Sequence, residues 1–353
     1  MSGSPSDAIG RVLRLLGGGL RVGEARTSGA LTLVPLAGGA PASLYLTAQE
    51  AFARGTLAIE ELAGGVVPQL VVRNAADLPV LLLDGEHLEG AMQHRVLNAS
   101  VLAAACHATV IPVSCVERGR WGYAGRRDVE PSVDLAYAEL RRLKAEHVAA
   151  AARAGAGRRV DQGAVWADVE RKRVQVGGGR SRTGALRDAY DGRRGALEAI
   201  VGGFGPPAPD QTGVLAFAGD RPLALDAFDR PATLASVWPR LLRGYAMDAL
   251  AVRPADPEPD AARAFLAEVA DPDNHATAHE GVGLGIDVIV TSPTTVANAL
   301  TWDDAVVHLA AFPRVGAARE GRAHGEGGQR GRRIQRPSAR ARNRRGSWFR
   351  DRT

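Results

Sequence analysis
The chain is poor in cysteine. Its 353 residues include only Cys106 and Cys115, too few for a disulfide framework, so a reducing compartment is expected. Cys106 and His107 stand close to Cys115 with no second ligand pair, which argues against a standard zinc pattern. Cys115, Glu117 and Arg118 follow an apolar run, yet the Cys-x5-Arg loop of thiol phosphatases is missing. Cys115 therefore reads as a buried structural thiol. Lysine is equally scarce, with Lys144 and Lys172 alone. Arginine carries almost all the positive charge, a bias read here as GC-rich coding rather than selection for bidentate chemistry. No apolar run reaches the roughly 18–20 residues that cross a bilayer. The opening residues lack a basic stretch followed by an apolar one, so no secretory signal is expected and the cytoplasm is the expected compartment. Between Leu20 and Val116 no strand–helix alternation occurs, which argues against a Rossmann-type sheet. Gly283 and Gly285 open no helix of the dinucleotide-binding kind.

What is present is an ordinary globular composition, 45% hydrophobic and 24% charged, with length enough for two domains or one large one. The net charge of +5 is unevenly placed. Residues 321–353 hold eleven arginines against Glu326 and Asp351, a local net of +9, so the remainder stands at −4. Past Arg314 no apolar spacing survives, and residues 314–353 read as a disordered Arg-rich tail.

Hydrophobic periodicity predicts the elements of the body. Asp7–Leu16 reads as a helix ended by Gly17–Gly19. Leu20–Val22, Ala30–Leu36, Leu44–Leu46, Leu57–Leu62, Gln69–Val72, Val80–Leu83 and Val110–Val113 read as strands, separated by Gly, Pro, Asn or Asp. Thr47 with Glu50 forms a capping box for a helical turn through Arg54. Helices are expected over Ser132–Arg153, with Arg141, Arg142, Lys144 and Glu146 as its polar side, over Asp161–Arg173, and over Thr183–Val201. Gly205-Pro206-Pro207 closes that block. Strands Val214–Ala218 and Leu223–Leu225, helices Ala232–Leu250 and Asp260–Val269, and strands Val282–Val290 and Ala305–Phe312 complete the chain. The expected class is α+β, an antiparallel β-sandwich or barrel-like sheet with a helical insertion. The expected parts are a mainly β region 1–130, a helical insertion 131–205, an α+β region 206–313 that completes the first sheet, and the tail.

Chemistry concentrates between Val80 and Trp121. Two apolar runs there deliver Asp84, Glu86, His87, Glu89, Gln93, His94, Arg95 and Asn98, then Ser114, Cys115, Glu117, Arg118 and Arg120. Carboxylates and neutral imidazoles suit a divalent metal, and Asp84, Glu86 and His87 are its expected ligands, with Mg²⁺ or Mn²⁺ favoured by oxygen donors. Glu86, Glu89 and His94 are the expected catalytic groups, and Gln93, Arg95, Asn98, Arg118 and Arg120 the expected grip on a phosphorylated ligand. The simpler reading is a β-turn with exposed acids, plus pairs such as Arg95–Glu117 that tie two strands together. His275 and His279 are spaced i, i+4, as on one helix face, but Pro272 and Asn274 favour a loop. His308, in an apolar strand, reads as a core histidine.

The blocks DGEHLEGAMQHRVLN and VIPVSCVERGRW resemble the ARG and Rhodanese-Phosphatase-superfamily-associated Protein domain family. The matching residues are Gly85, Glu86, Leu88, Gly90, Ala91, Gln93, Arg95 and Asn98, then Pro112 through Trp121. GVGLGIDVIV and VVHLAAF look like the family's closing strands, so the resemblance spans roughly Leu20 to Phe312. The family's name implies a nucleotide-derived or phosphate-linked ligand, with ADP-ribose one form of it. Three functions are thus expected in competition. One is non-specific nucleic-acid binding, DNA above all, through the tail, with Arg332, Arg333, Arg344, Arg345 and Trp348 as its contacts and a metal-dependent phosphodiester site in the body. The second is binding or hydrolysis of a small nucleotide-derived or phosphorylated ligand by the body. The third is a structural or partner-binding domain without catalysis. The tail is either a genuine appendage or text from an altered reading frame.

Overall fold
In the computed structural model, which describes residues 4–39, 43–62, 67–90, 92–122, 129–179 and 181–314, the first helix is fixed by its cap. Ser4 and Asp7 form a reciprocal capping box for α1 (Pro5–Arg14), which buries Ala8 and Val12 before a π-turn at Leu15–Gly19. Strands β1 (Leu20–Val22), β2 (Arg26–Ser28), β3 (Leu31–Gly38) and β4 (Leu46–Thr47) follow. Thr47 and Glu50 form the expected capping box of α2 (Ala48–Ala53). Strands β5 (Leu57–Glu61), β6 (Gln69–Asn74), β7 (Val80–Leu82), β8 (Glu86–Gly90), β9 (Arg95–Leu97), β10 (Val101–Ala103), β11 (His107–Cys115) and β12 (Val129–Leu135) come next. The helical block holds α3 (Ala138–Arg153), α4 (Gln162–Gln175), α5 (Leu186–Asp191) and α6 (Arg194–Val201). After β13 (Gln211–Ala218), β14 (Arg221–Phe228), α7 (Pro231–Ala249) and α8 (Ala261–Ala270), the chain ends in β15 (His275–Glu280), β16 (Ile286–Thr291), β17 (Thr295–Trp302) and β18 (Ala305–Pro313).

Two sheet systems result, and the α+β expectation with a barrel-like sheet holds. One is an antiparallel nine-stranded sheet ordered β1-β3-β13-β14-β18-β17-β16-β15, with β2 also on β3. The other is a closed barrel, β11-β6-β5-β12-β8-β9, beside a short sheet β10-β7-β4. The late strands do complete the sheet begun by β1 and β3. The large sheet is apolar on both faces because helices cover both: α3 and α7 on one, α1 and α8 on the other. The barrel is filled by Leu57, Ile59, Leu70, Val72, Leu88, Leu97, Ile111 and Val113. Residues Met1–Ala317 form one compact unit. Among the described residues no helix is long and apolar enough to cross a membrane.

Several expected elements differ. The helix predicted from Ser132 starts at Ala138, because 129–135 pairs with β8 instead. The helix predicted over Thr183–Val201 is broken at Gly192 into α5 and α6. The pair His275 and His279 lies on strand β15 at the sheet edge, neither helix nor loop. Arg141 and Lys144, expected on the polar side of α3, are its most deeply buried charges, at 1% and 0% exposure. Gly64-Gly65, Ala91 and the tail with Arg332, Arg333, Arg344, Arg345 and Trp348 lie outside the described residues.

Candidate active site
A chain of hydrogen bonds crosses from the barrel to the large sheet. Ser100, in the turn between β9 and β10, lies 2.7 Å through its Oγ from Nδ1 of His308 on β18. Nε2 of His308 lies 3.0 Å from Oδ1 of Asp226 on β14. The register that pairs Phe228 with His308 brings the two strands together, and the Phe228 ring stacks on the imidazole at 4.8 Å. A carboxylate only accepts, so Nε2 carries a hydrogen toward Asp226. Ser100 Oγ already accepts the Asp84 backbone N–H at 2.9 Å, which leaves its own hydrogen to point at Nδ1 when that nitrogen carries none. Hydroxyl, imidazole and carboxylate thus stand in the order that activates a serine nucleophile, with the two ring nitrogens used the other way round from the common arrangement.

The carboxylate end is anchored by saturation. Arg141 Nη1 and Nη2 donate to the two oxygens of Asp226 at 2.9 and 2.6 Å, and the Tyr245 hydroxyl donates as well. Burial alone would raise the Asp226 carboxyl, but Arg141 and His308 outweigh it and hold the group well below the usual carboxylate range. Arg141 Nε also reaches Asp84 at 3.1 Å, and Lys144 Nζ reaches the other Asp84 oxygen at 2.9 Å and the Leu97 carbonyl. Burial lowers the Lys144 ammonium, and Asp84 recovers part of that loss. Gly85 is needed here. It sits at φ +85°, and a Cβ on it would lie 2.7 Å from Arg141 Cδ, blocking the arginine's path to Asp84.

Ser100 and His308 line a pocket of about 250 Å³ between α3 and strands β16–β18. Val148, Ala152, Val288, Ile289 and Leu300 give it mostly apolar walls, and Asp84, Arg158, Asp287 and Asn298 supply polar groups. Arg158 pairs with Asp287, whose carboxyl burial raises to about 6 although Arg158 pulls the other way. Oδ1 of Asn298 is buried without a partner, an acceptor left for a ligand.

The sequence-derived candidates fall into other partnerships. Asp84, Glu86 and His87, the expected metal ligands, share no common partner. Asp84 serves Arg141 and Lys144, while Glu86 pairs with Arg240 and accepts from Gln49 at 2.9 Å. Glu89 pairs with Arg187 and accepts from Ser132, and His94 lies near Glu117. The acids of the simpler reading are not exposed: Asp84 is 4% and Glu86 0% accessible. Arg95 turns to Glu61 at 3.6 Å, to Gln93 and to the Val67 carbonyl, so it does not make the expected pair with Glu117. Glu117 is held by Arg120 at 2.6 Å. Gln93 donates to the Glu117 carbonyl at 3.2 Å, and Asn98 accepts from Ser114 at 2.7 Å. Arg118 lies over the Trp166 ring. Cys115 is buried as expected, and burial raises its thiol. Ser100, Asp226 and Tyr245 had no place among the sequence candidates. The one signal was His308, a polar residue in an apolar strand.

Fold and site together define a class, an α+β protein with a closed barrel, a nine-stranded sheet and a small pocket between α3 and strands β16–β18, lined by a serine and a histidine that an aspartate backs. The ARG and Rhodanese-Phosphatase-superfamily-associated Protein domain matches residues 19–312, and the chain belongs to that family. No curated protein and no solved structure matches it.

Proposed function
We propose that the body binds and hydrolyses a small acyl ester or amide, with Ser100 as nucleophile, His308 as base and then acid, and Asp226 as the group that orients the imidazole. The observation that carries this reading is the Ser100–His308–Asp226 chain, of which Ser100 and His308 line the pocket. Ser100 Oγ would attack the carbonyl carbon while its proton passes to His308 Nδ1. That proton would then leave with the departing alcohol or amine, and water would release the acyl group by the same route. The lining supports an uncharged group more than a phosphate: Asp84 and Asp287 outnumber Arg158, and the walls are apolar. The volume also suits a ligand smaller than an intact dinucleotide. A fluorophosphonate probe tests the reading on the full chain. Intact mass should show one adduct, mapped to Ser100 and absent from Ser100→Ala and His308→Gln. Labelling of the wild type elsewhere, or none, would refute it.

A second property rests on a different observation, the +9 charge of residues 321–353. We propose that this segment binds polyanions such as DNA without sequence preference, by counterion release through Arg332, Arg333, Arg344 and Arg345, with Trp348 stacking on bases. Binding should weaken steeply with salt and vanish in a chain ending at Pro313. Equal binding by that chain would end the idea.

A further inference from the structure
The pocket beside Ser100 has a polar side chain with nothing to bind. Its floor is one face of the large sheet, since residues opposite one another on neighbouring strands share a side. His279 is opposite Asp287, Asp287 opposite Leu300 and Leu300 opposite His308, while Asn298 lies between Ile289 and Ala310. The other polar side chains of the lining are committed. Ser100 and His308 hold each other, Asp84 holds Arg141 and Lys144, and Arg158 holds Asp287. His279 Nε2 meets the Thr277 hydroxyl at 3.1 Å. Asn298 differs. Its Oδ1 is buried without a partner, and among the described residues its Nδ2 makes no hydrogen bond either.

An unpaired amide on a mostly apolar wall is costly, because it has given up water and gained nothing. A half-turn about Cβ–Cγ exchanges its oxygen and nitrogen, and it breaks no hydrogen bond because neither end has one. The residue can therefore offer an acceptor or a donor to whatever enters, and a ligand group that pairs with it recovers part of the cost. Asn298 stands one diagonal step from His308 in the register, about 7–8 Å away. That is a few bonds of ligand from the carbonyl carbon that Ser100 would attack. The departing alcohol or amine must clear the site before water enters, so the part that stays against the walls through both steps is the acyl group.

We propose that Asn298 selects acyl groups that carry an uncharged hydroxyl or amide a few bonds from the reacting carbonyl, in preference to plain alkyl chains. This rests on the hydrolase reading above and names the substrate class of the same pocket. Charged substituents fit less well. A carboxylate would lie beside Asp84 and Asp287 with Arg158 already paired, and an ammonium group would have to displace Arg158 from Asp287. The volume of about 250 Å³ keeps the acyl group short.

The test uses the full chain and the p-nitrophenyl esters of butyrate, β-hydroxybutyrate and N-acetylglycine, each rate divided by that of its uncatalysed hydrolysis. At least one of the polar esters should exceed butyrate by about tenfold or more in kcat/KM, and Asn298→Leu should bring that ratio close to one. If Asn298→Leu fails to fold, Asn298→Ala is read in the same way. A wild-type preference for butyrate, or a ratio that the substitution leaves in place, would overturn the assignment. Failure of the hydrolase reading shows separately, as no turnover and no fluorophosphonate adduct. In that case ketones that cannot be hydrolysed, 2-pentanone and its 4-hydroxy derivative, replace the esters in ligand-observed NMR titrations. Tighter binding of the hydroxylated ketone by the wild type, lost in Asn298→Leu, keeps the role of Asn298. Equal or absent binding of the two ends it.

Discussion

Two buried polar clusters differ in one respect. Around Asp226 every acceptor is used: Arg141 donates twice, His308 and Tyr245 once each, and Asp84 takes what remains of Arg141 together with Lys144. Around His87 and His94 three ring nitrogens have no hydrogen-bond partner within the protein. Both clusters are buried, so the difference is not one of exposure. Burial of charge is tolerated where the donors and acceptors balance, and where they do not each unpaired group carries a cost. The first cluster's spare reactivity is confined to Ser100 Oγ at the pocket wall.

The largest way to break this comparison is Arg141→Met. It leaves the Asp226 and Asp84 carboxylates in an apolar interior with too few donors, and it should cost about 3–5 kcal/mol. Urea unfolding followed by circular dichroism reads this directly. A cost under about 1 kcal/mol would mean that the network is not what tolerates the buried charge. Pairing the substitution with Asp226→Leu should restore part of the loss, because the uncompensated charge goes with it.

Asp287 stands between the two extremes, a buried carboxyl with one partner, Arg158. Burial raises it to about 6 from an ordinary value of 3.8. The folded chain therefore keeps a proton that the unfolded chain has lost, so the stabilisation is full below about pH 4 and declines as pH rises to about 6. The decline should total about 3 kcal/mol. Asp287→Asn should flatten that part of the stability–pH curve, and an unchanged slope in the variant would assign it to another group.

Legibility followed the physics of each segment. β1, β3, β5, β6, β7, β13, β14 and β18 were readable because apolar residues run together or alternate, and α2 because Thr47 and Glu50 cap it. β8 was not, since Glu86-His87-Leu88-Glu89 looks like solvent-facing text, while Glu86 is in fact paired with buried Arg240 and His87 is fully buried. The same assumption, that charge means exposure, put Arg141 and Lys144 on the wrong face of α3. Ser132–Leu135 of β12 was absorbed into the helix that follows it, although Leu135, five residues from Leu140, lies about 140° away from it round a helix. The candidate site was less legible still. Ser100, Asp226 and His308 meet only because β14 pairs with β18 and the turn after β9 packs on them, and no spacing along the chain encodes such a meeting. The Asp84–Trp121 block was readable as a place where polar residues gather, but not for which of them stand satisfied.

The smallest effect is also the sharpest discriminator. His87→Leu removes two ring nitrogens that have no partner to lose. Replacing an unsatisfied buried polar group with an apolar one of similar shape should be near neutral or stabilising, within about 1 kcal/mol. His308→Leu has similar geometry and burial but strands Ser100 and one bond of Asp226, and should cost clearly more. The two substitutions remove the same chemical group from equally buried strands, so their difference isolates partnership from burial. If His87→Leu proves as costly as His308→Leu, then His87 is already partnered in solution, by water or another group. The contrast between the two clusters would then be lost.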